Sequence, residues 1–284
     1  MHWLVYHVAS GQSFFSGIAL LIVAAVFSLS SQRFRRLTFA AFACGFFAVL
    51  LSSAPTPQWY AALLVVVTLA WVASWFRQRG RRLTAWCMIL LWLGAAVIEL
   101  PNHFVPSLQL APSRQITIIG DSVTAGTGGD DKSETWPRIL GREHDLQIQD
   151  ISQIGETAAS ALKRVQAQTI DSPLVIVEIG GNDVLGSTSP EKFARDLEKL
   201  LGHLSKENRQ IVMFELPLPP FCQEYGRAQR RLAREYQVHL LPKRILLSVL
   251  GSFDATLDSI HLSQSGHQAM ADRVWDVVGA AFDR

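Results

Sequence analysis

The sequence predicts two unlike parts: four transmembrane α-helices, followed by an α/β domain folded as a three-layer α/β/α sandwich with a parallel five-stranded sheet. Composition and charge support this division. Hydrophobic residues make up 49% of the 284 residues and charged residues only 18%, as expected when a membrane part and a soluble part are averaged. Residues 1–100 hold seven arginines, no lysine and one acid, whereas residues 101–284 hold 19 basic and 23 acidic residues. The basic excess is confined to the first hundred residues, so it does not indicate nucleic-acid binding.

Four apolar runs account for the first part. Each is about 17 to 20 residues long and has no internal charge, and they span residues 12–30, 37–54, 58–76 and 83–99. At about 1.5 Å per residue, helices of this length cross a hydrocarbon core about 30 Å thick. A cleaved signal peptide would have one shorter run, and a soluble bundle would show polar helix faces. We therefore predict a four-helix transmembrane domain over residues 1–100.

The arginines predict the orientation of these helices. Arginine-rich loops lie at residues 31–36 and 77–82, whereas the loop at residues 52–57 carries no charge. Since positively charged loops favour the cytoplasm, the N-terminus and everything after residue 100 are expected on the outer, periplasmic side of a bacterial cytoplasmic membrane. No ionisable side chain lies in the middle of a run, which favours an anchor over ion transport. Lipid binding between the helices stays an open alternative.

A proline-containing linker over residues 101–113 leads into a predicted α/β domain over residues 114–284. Strand-like runs occur at residues 115–119, 146–151, 174–179, 211–216 and 238–241. Helical patterns lie between and after them, at about residues 157–169, 193–204, 222–236 and 265–282. Strands alternating with helices predict a parallel sheet covered on both faces. Three scattered cysteines (Cys44, Cys87 and Cys222) indicate neither a disulfide framework nor a metal site.

Polar residues beside glycines follow the first three predicted strands. The three segments are Gly120-Asp121-Ser122, the turn around Gly155, and Gly180-Gly181-Asn182-Asp183. In an open parallel sheet, ligands bind at the edge where the strands end. A serine at that edge, on the turn into a helix, is a candidate nucleophile beside free backbone N–H groups. The alternatives are that Ser122 only caps the helix and that the other residues only form turns.

A fourth polar segment, Asp258-Ser259-Ile260-His261, precedes the last predicted helix. An aspartate three residues before a histidine can accept one imidazole N–H, which leaves the other ring nitrogen free as a base. A structural or surface role is the alternative, and His267 is expected in the first turn of the last helix rather than in the site. No His-Glu-x-x-His motif is present, and the glycines at positions 126, 128 and 129 lack the Gly-Lys-Ser/Thr of a phosphate loop. We predict no metal and no cofactor.

These four segments, in this order, resemble the SGNH hydrolases, also called GDSL esterases and lipases. The resemblance covers about residues 114–282 and is strongest to the small bacterial thioesterase/lysophospholipase type, which has similar residues where this sequence has Trp136-Pro137 and Leu240-Leu241-Pro242. It implies the SGNH, flavodoxin-like version of the α/β/α sandwich. The helical first hundred residues lie outside this resemblance.

The resemblance also implies a role for each matching residue. Ser122 would be the nucleophile, His261 the general base and acid, and Asp258 the group that orients His261. The backbone N–H groups of Ser122 and Gly155, with the side-chain amide of Asn182, would form the oxyanion hole.

The leading hypothesis from the sequence is a membrane-anchored serine hydrolase that acts on an acyl ester, either a lipid or an acylated glycan. The alternative is an O-acetyl esterase acting on a cell-wall or exported polysaccharide. Two further hypotheses are a binding module that keeps the fold without activity and an enzyme that transfers its acyl group to a sugar. Acyl chain length and oligomeric state do not follow from the sequence.

Overall fold

The computed structural model describes residues 3–30, 34–77, 79–127, 133–252, 254–258 and 261–282. Parts of both predicted arginine loops (residues 31–33 and 78), two of the loop glycines (128 and 129) and the middle of the Asp258–His261 segment lie outside these residues. The chain forms two compact units. One comprises Leu4–His103 with Pro219–Gln223, and the other comprises most of the chain from Phe104 onward.

The first unit is helical. Its helices are α1 Trp3–Ala9, α2 Gln12–Leu29, α3 Arg35–Leu51, α4 Gln58–Arg77 and α5 Arg81–Glu99, and a 3₁₀ turn follows at Leu100–His103. Three segments are long and apolar enough to cross a membrane: α2, α4 and the stretch Arg81–His103. Helix α3 has 17 residues, which gives about 25 Å, near the lower limit for a span. The short α1 was not predicted, because it precedes the first long apolar run.

Small residues let α2 and α3 approach closely. A Cβ added to Gly17 would lie 2.8 Å from the carbonyl oxygen of Gly45, and a Cβ added to Gly45 would lie 2.8 Å from that of Gly17. Close glycine contacts of this kind drive helix association where no water is available to supply a hydrophobic effect. Both positions therefore require glycine.

Three aromatic side chains inside this unit donate hydrogen bonds to neutral acceptors on neighbouring helices. Trp71 Nε1 donates to Ser28 Oγ at 3.1 Å, and Trp92 Nε1 donates to Thr68 Oγ1 at 3.2 Å. The Tyr60 hydroxyl donates to the carbonyl of Leu91 at 2.7 Å. Neutral donors matched to neutral acceptors are what a helix bundle in an apolar solvent needs.

The second unit is built on the predicted parallel five-stranded sheet. Its strands are β1 Gln115–Gly120, β2 Gln147–Asp150, β3 Leu174–Glu178, β4 Gln210–Phe214 and β5 His239–Leu241. All four pairings are parallel, and the order across the sheet is β2-β1-β3-β4-β5. The strand order reverses between β1 and β3, so the expected ligand-binding crevice lies at the C-terminal ends of these two neighbouring strands.

Eight helices of this unit are described. They are α6 Ser122–Ala125, α7 Trp136–His144, α8 Ala158–Gln166, α9 Gly181–Leu185, α10 Pro190–Leu204, α11 Gln223–Glu235, α12 Lys243–Leu250 and α13 Gln264–Val278. Buried side chains of α7, α12 and α13 form one core with β1, β3 and β4. Helices α8 and α10 pack against each other.

The strand predictions agree with the structure to within one or two residues at each end. Helices α7 and α12 were not predicted, since each is only eight or nine residues long and gives little periodicity. Helix α7 begins with Trp136-Pro137. The first turn of a helix tolerates proline, because the N–H that proline lacks would have no partner inside the helix.

Candidate active site

The turn after β1 presents Ser122 at the start of the short helix α6. Asp121, not Ser122, caps this helix: its Oδ1 accepts from the Val123 N–H at 2.9 Å. The interpretation of Ser122 as the cap is therefore wrong. Ser122 is the first residue of the helix, and its N–H has no hydrogen-bond partner among the described residues, as expected for a helix N-terminus.

A buried carboxyl pair lies directly beneath this turn. Glu178 is paired with Gly120 in the β1–β3 register, and its Oε2 accepts from Thr124 Oγ1 at 2.9 Å and from the Asp121 N–H at 3.4 Å. Gly120 has no room for a side chain, because a Cβ there would overlap Thr124. The absence of a side chain at Gly120 thus leaves room for Thr124, whose hydroxyl donates to Glu178.

Burial raises the pKa of the Glu178 carboxyl well above its usual value, and the charge of Asp121 raises it further. Burial also raises the pKa of Asp121, while hydrogen bonds from Val123 N–H and from Glu178 and the charge of His261 oppose that rise. A hydrogen bond between the two carboxyl groups thus favours the proton on Glu178 and the charge on Asp121. Of the two carboxyl groups, Glu178 is the one whose pKa is raised further.

Asp121 connects the β1 turn to the β3 turn through Asn182. The Asn182 Nδ2 donates to Asp121 Oδ2 at 3.1 Å and to the carbonyl of Glu156 at 3.0 Å. Asn182 lies in α9, which follows Gly180 at φ +119°, where a Cβ would meet Leu216 at 2.7 Å. Both amide hydrogens of Asn182 are therefore occupied, one of them by the carbonyl of Glu156, the residue after Gly155.

The turn after β2 carries Gly155. Its backbone has φ +73°, no atom would touch a Cβ added there, and its N–H has no acceptor among the described residues. Gln153 N–H, two residues earlier, donates to the carbonyl of Gly120 at 3.0 Å. Asp183 Oδ2 accepts from the Ala158 N–H at 2.9 Å, at the start of α8. The Gly155 turn is thus attached to β1 before the glycine and to α9 after it.

Asp258 and His261 form a pair on the loop before α13. Asp258 Oδ2 accepts from His261 Nδ1 at 2.7 Å, and Asp258 Oδ1 accepts from the His261 backbone N–H at 2.9 Å. The loop is closed by an isolated antiparallel bridge between Thr256 and Leu262. The His261 side chain is 31% exposed. Its Nε2 has no partner among the described residues, so it is the ring nitrogen available as a base.

The described residues show no hydrogen bond between Ser122 and His261. The charge of His261 lowers the pKa of Asp121, the residue before Ser122. Hydrogen bonds of this kind are often long or unformed in an enzyme without its substrate.

Comparison with known proteins agrees with this geometry. The model of the GDSL-like Lipase/Acylhydrolase family matches residues 118–269, which is more than half of the chain. The chain belongs to this family. The predicted resemblance to SGNH hydrolases is thereby confirmed, and the protein is a serine hydrolase that cleaves carboxylic esters, with esterase/thioesterase/lysophospholipase-like activity.

Several relatives of this GDSL-like hydrolase are esterases. Esterase TesA of Pseudomonas aeruginosa is 24% identical over 181 residues, which cover 59% of this chain and 89% of that protein. The Thioesterase 1/protease 1/lysophospholipase L1 of Escherichia coli is 28% identical over 158 residues, covering 51% and 74%. An arylesterase of Vibrio mimicus is 27% identical over 162 residues, covering 51% and 78%.

Two solved structures share the fold of this GDSL-like hydrolase. The psychrotrophic esterase EstA from Pseudoalteromonas sp. superposes with a TM-score of 0.54 at 23% identity, covering 59% of this chain and 98% of that one. The crystal structure of TesA gives a TM-score of 0.53 at 24% identity, covering 59% and 99%. Both likenesses concern the part with the five-stranded sheet.

The GDSL-like hydrolase brings some of the predicted site residues into direct contact and leaves others apart. Asp258 and His261 are hydrogen-bonded to each other. Asn182 donates to the carbonyl of Glu156, the residue after Gly155, and to Asp121, the neighbour of Ser122. The sequence analysis gave no role to Glu178. A single carboxylate inside the otherwise apolar run Leu174–Ile179 was the available indication of one, because a buried acid needs a partner.

Proposed function

We propose that the protein is a membrane-anchored serine ester hydrolase that acts on acyl esters at the outer face of the cytoplasmic membrane. Ser122 is the nucleophile, His261 the general base and acid, and Asp258 the group that orients His261. The observation that carries this proposal is the geometry around Ser122. Among the described residues, the backbone N–H groups of Ser122 and Gly155 have no acceptor, and Asp258 holds Nδ1 of a histidine whose Nε2 has no partner.

In the first step, Ser122 Oγ attacks the ester carbonyl carbon as His261 Nε2 takes the hydroxyl proton. Asp258 keeps the imidazole in the tautomer with hydrogen on Nδ1 and stabilises the imidazolium that forms. The carbonyl oxygen becomes an oxyanion and receives the N–H groups of Ser122 and Gly155. Asn182 becomes the third donor when its amide turns from the Glu156 carbonyl to the oxyanion. Each such donor contributes about 3–4 kcal/mol to lowering the barrier.

In the second half, His261 Nε2 protonates the leaving alcohol or thiol, and the acyl group stays on Ser122. A water molecule then attacks the acyl-enzyme while His261 takes its proton, and the same donors hold the second oxyanion. Collapse of this intermediate releases the carboxylic acid and returns the proton to Ser122. Asp121 holds the Val123 N–H and the Asn182 amide and touches no reacting atom, so it acts as a positioning residue.

The test is hydrolysis of p-nitrophenyl butyrate by the full-length protein in detergent. Ser122→Ala is expected to lower kcat/KM by at least about 10³-fold, because neither water nor the oxyanion donors replace the nucleophile. Ser205→Ala, at an exposed serine after α10, is the matched control and should keep full activity. A folded Ser122→Ala protein with wild-type rates, or a wild-type protein whose Ser122 does not react with a fluorophosphonate, would contradict the assignment.

The proposed anchor consists of four spans, with α3 as the second. Three apolar segments of sufficient length support it, and so do the arginine-rich loops, which favour the cytoplasm. Alkaline phosphatase fused after residue 284 should then be active, since this enzyme matures only outside the cytoplasm. The same enzyme fused within residues 77–82 should be inactive, and the reverse result would overturn the proposed orientation.

A further inference from the structure

The residue that follows Gly155, Glu156, is a buried acid in an otherwise exposed turn. Its side chain is only 2% exposed, whereas Gln153, Ile154 and Gly155 before it are exposed. Its Oε2 accepts from Arg164 Nε at 2.7 Å. Arg164 lies in the last turn of α8, and its side chain reaches back toward the start of that helix, the direction in which helical side chains tilt. The ion pair thus ties the turn after β2 to the helix that follows it.

The backbone of Glu156 takes part in the same turn. Its N–H donates to the Gln153 carbonyl at 3.2 Å, which closes the turn around Gly155. Its carbonyl accepts from Asn182 Nδ2 at 3.0 Å. Apart from chain neighbours, no atom of the described residues lies within 4 Å of the place where a Cβ of Gly155 would be. Since nothing packs against the glycine there, the direction of its N–H depends on how Glu156 is held.

In the proposed mechanism this turn gives up one contact when its geometry matters most. Asn182 turns from the Glu156 carbonyl to the oxyanion, so that the carbonyl loses its donor in the transition state. Among the described residues, the bond to Arg164 is then the remaining hydrogen bond from Glu156 to a residue outside the turn. An oxyanion donor stabilises the developing charge only if it is already held in place.

We propose that Arg164 is a positioning residue of the oxyanion hole, which holds Glu156 and thereby aims the Gly155 N–H at the oxyanion. This inference rests on the proposed function, in which Gly155 is an oxyanion donor. Arg164 itself touches no reacting atom. Its guanidinium also neutralises the Glu156 carboxylate, whose charge would otherwise repel the oxyanion that forms at the neighbouring N–H.

A purely structural role for the ion pair is the alternative. A buried ion pair is weak evidence for stability, because the cost of removing two charges from water can exceed their mutual attraction. The two roles differ in what a variant changes. Loss of a structural pair lowers the free energy of unfolding, whereas loss of a positioning pair also lowers kcat.

The test measures Arg164→Ala and Arg164→Lys in the full-length protein, in detergent, with p-nitrophenyl butyrate as substrate. Arg164→Ala is expected to lower kcat about 10- to 100-fold with little change in KM, since the Gly155 N–H is misdirected rather than removed. Arg164→Lys keeps the charge and a donor and should stay within about 5-fold of the wild-type kcat. Butylboronic acid forms a tetrahedral adduct with Ser122, and its inhibition constant should rise by the factor by which kcat falls.

Arg209→Gln is the matched control for lost stability. Arg209 donates to the carbonyls of Ser172 and Leu204 at 3.2 and 2.8 Å. It precedes β4 and therefore lies at the edge of the sheet opposite the site. This variant should lower the melting temperature while kcat stays within about 2-fold of the wild-type value.

Glu156→Gln tests whether Arg164 acts through Glu156. This variant keeps the shape of the turn, so it can be measured even if Arg164→Ala does not fold. Alone it should lower kcat about 3- to 10-fold, because a neutral amide holds the guanidinium more weakly than a carboxylate does. The double variant Glu156→Gln/Arg164→Ala should be no slower than Arg164→Ala, since the two residues act as a unit.

Four results would overturn the positioning role. They are a wild-type kcat in folded Arg164→Ala or in Glu156→Gln, a higher KM with unchanged kcat, losses that add in the double variant, and an equal loss of kcat in Arg209→Gln. The proposed function fails differently. If Ser122→Ala keeps wild-type hydrolysis, the nucleophile is wrong whatever the Arg164 variants do. If Ser122→Ala is inactive while Arg164→Ala keeps its kcat, the function stands and the positioning role is wrong.

Discussion

The two units of the chain bury their polar groups in opposite ways. Among the described residues of the helical unit, Glu99 is the one buried charged side chain, and the other buried polar side chains are hydroxyls of serine and threonine. The described residues of the α/β unit include five buried carboxyl groups: those of Asp121, Glu156, Glu178, Asp183 and Glu215. The helical unit thus avoids charge, whereas the α/β unit concentrates it where the strands end.

The five carboxyl groups themselves fall into two kinds. Glu156 and Glu215 are held by arginines, at 2.7 Å from Arg164 and 2.6 Å from Arg230. Asp121, Glu178 and Asp183 form no salt bridge among the described residues and are held by N–H and O–H donors and by each other. Burial raises the pKa of all three. Burying an acid without a cation costs free energy, and such acids cluster at functional sites. Here Asp121 directly precedes the proposed nucleophile Ser122, and Glu178 accepts from the Asp121 N–H.

The largest effect expected in this comparison is on catalysis, at Asn182. Replacing Asn182 with alanine removes one proposed oxyanion donor, so kcat should fall about 10²- to 10³-fold while KM changes little. Steady-state kinetics on p-nitrophenyl butyrate measure both constants. Asn102→Ala, an amide in the helical unit that donates to a backbone carbonyl, is the control. If Asn182→Ala raised KM and left kcat unchanged, its amide would bind substrate rather than the transition state.

A smaller effect is expected on stability, at Glu178. Glu178→Ala should lower the free energy of unfolding by about 1–3 kcal/mol, because Thr124 and Asp121 lose a buried partner. Glu178→Gln should cost less than about 1 kcal/mol, since a neutral amide also donates to Asp121 and accepts from Thr124. Thermal unfolding followed by near-ultraviolet circular dichroism compares the two variants. Equal losses would mean that Glu178 is ionised in the folded protein.

The same carboxyl pair predicts how stability depends on pH. A raised pKa means that folded Glu178 keeps a proton that the unfolded chain releases above about pH 4.3. The contribution to stability is therefore complete below that pH and is lost as pH rises through the folded pKa, by up to about 1.4 kcal/mol per pH unit. Glu178→Gln should flatten this slope between pH 4 and 7, and an unaltered slope would assign the titration to another group.

The smallest effect is expected in the helical unit, at Ser28. Ser28→Ala removes the acceptor of Trp71 Nε1 and should cost about 0.6–1.7 kcal/mol, the usual range for a hydrogen bond between membrane helices. Ester hydrolysis should not change. Ser30→Ala, at an exposed position after α2, serves as the control in the same unfolding assay. A loss above about 3 kcal/mol would show that this unit, too, depends on a buried polar network.

Local pattern was sufficient to predict the sheet and one contact of the candidate site. Apolar runs located all five strands, and parallel pairing brings the segments at Ser122, Gly155 and Asn182 to one edge. The Asp258–His261 bond also followed from spacing, since three residues on a loop let the carboxylate fold back onto both the imidazole and its backbone N–H.

Contacts that depend on register or on competition between partners were not predictable. The Glu178–Asp121 pair requires Gly120 and Glu178 to be opposite each other, and no local pattern fixes which residues of two strands pair. Asp121 caps α6 because the helix begins at Ser122 itself, one residue earlier than a Ser122 cap requires. Short helices such as α7 and α12 depend on tertiary packing rather than on their own periodicity.

Because both amide hydrogens of Asn182 are already engaged, the side chain binds only a stronger acceptor than those it already has. In the proposed mechanism an incoming oxygen must compete with the Glu156 carbonyl for the same hydrogen. A neutral ester carbonyl is no better an acceptor than a peptide carbonyl, so it gains nothing from the exchange. An oxyanion forms a charge-assisted hydrogen bond about twice as strong, so it replaces the Glu156 carbonyl as the acceptor of this hydrogen. The Asn182 amide therefore binds the negatively charged oxyanion and not the neutral ester carbonyl. It stabilises the reacting group only when the carbonyl carbon has become tetrahedral.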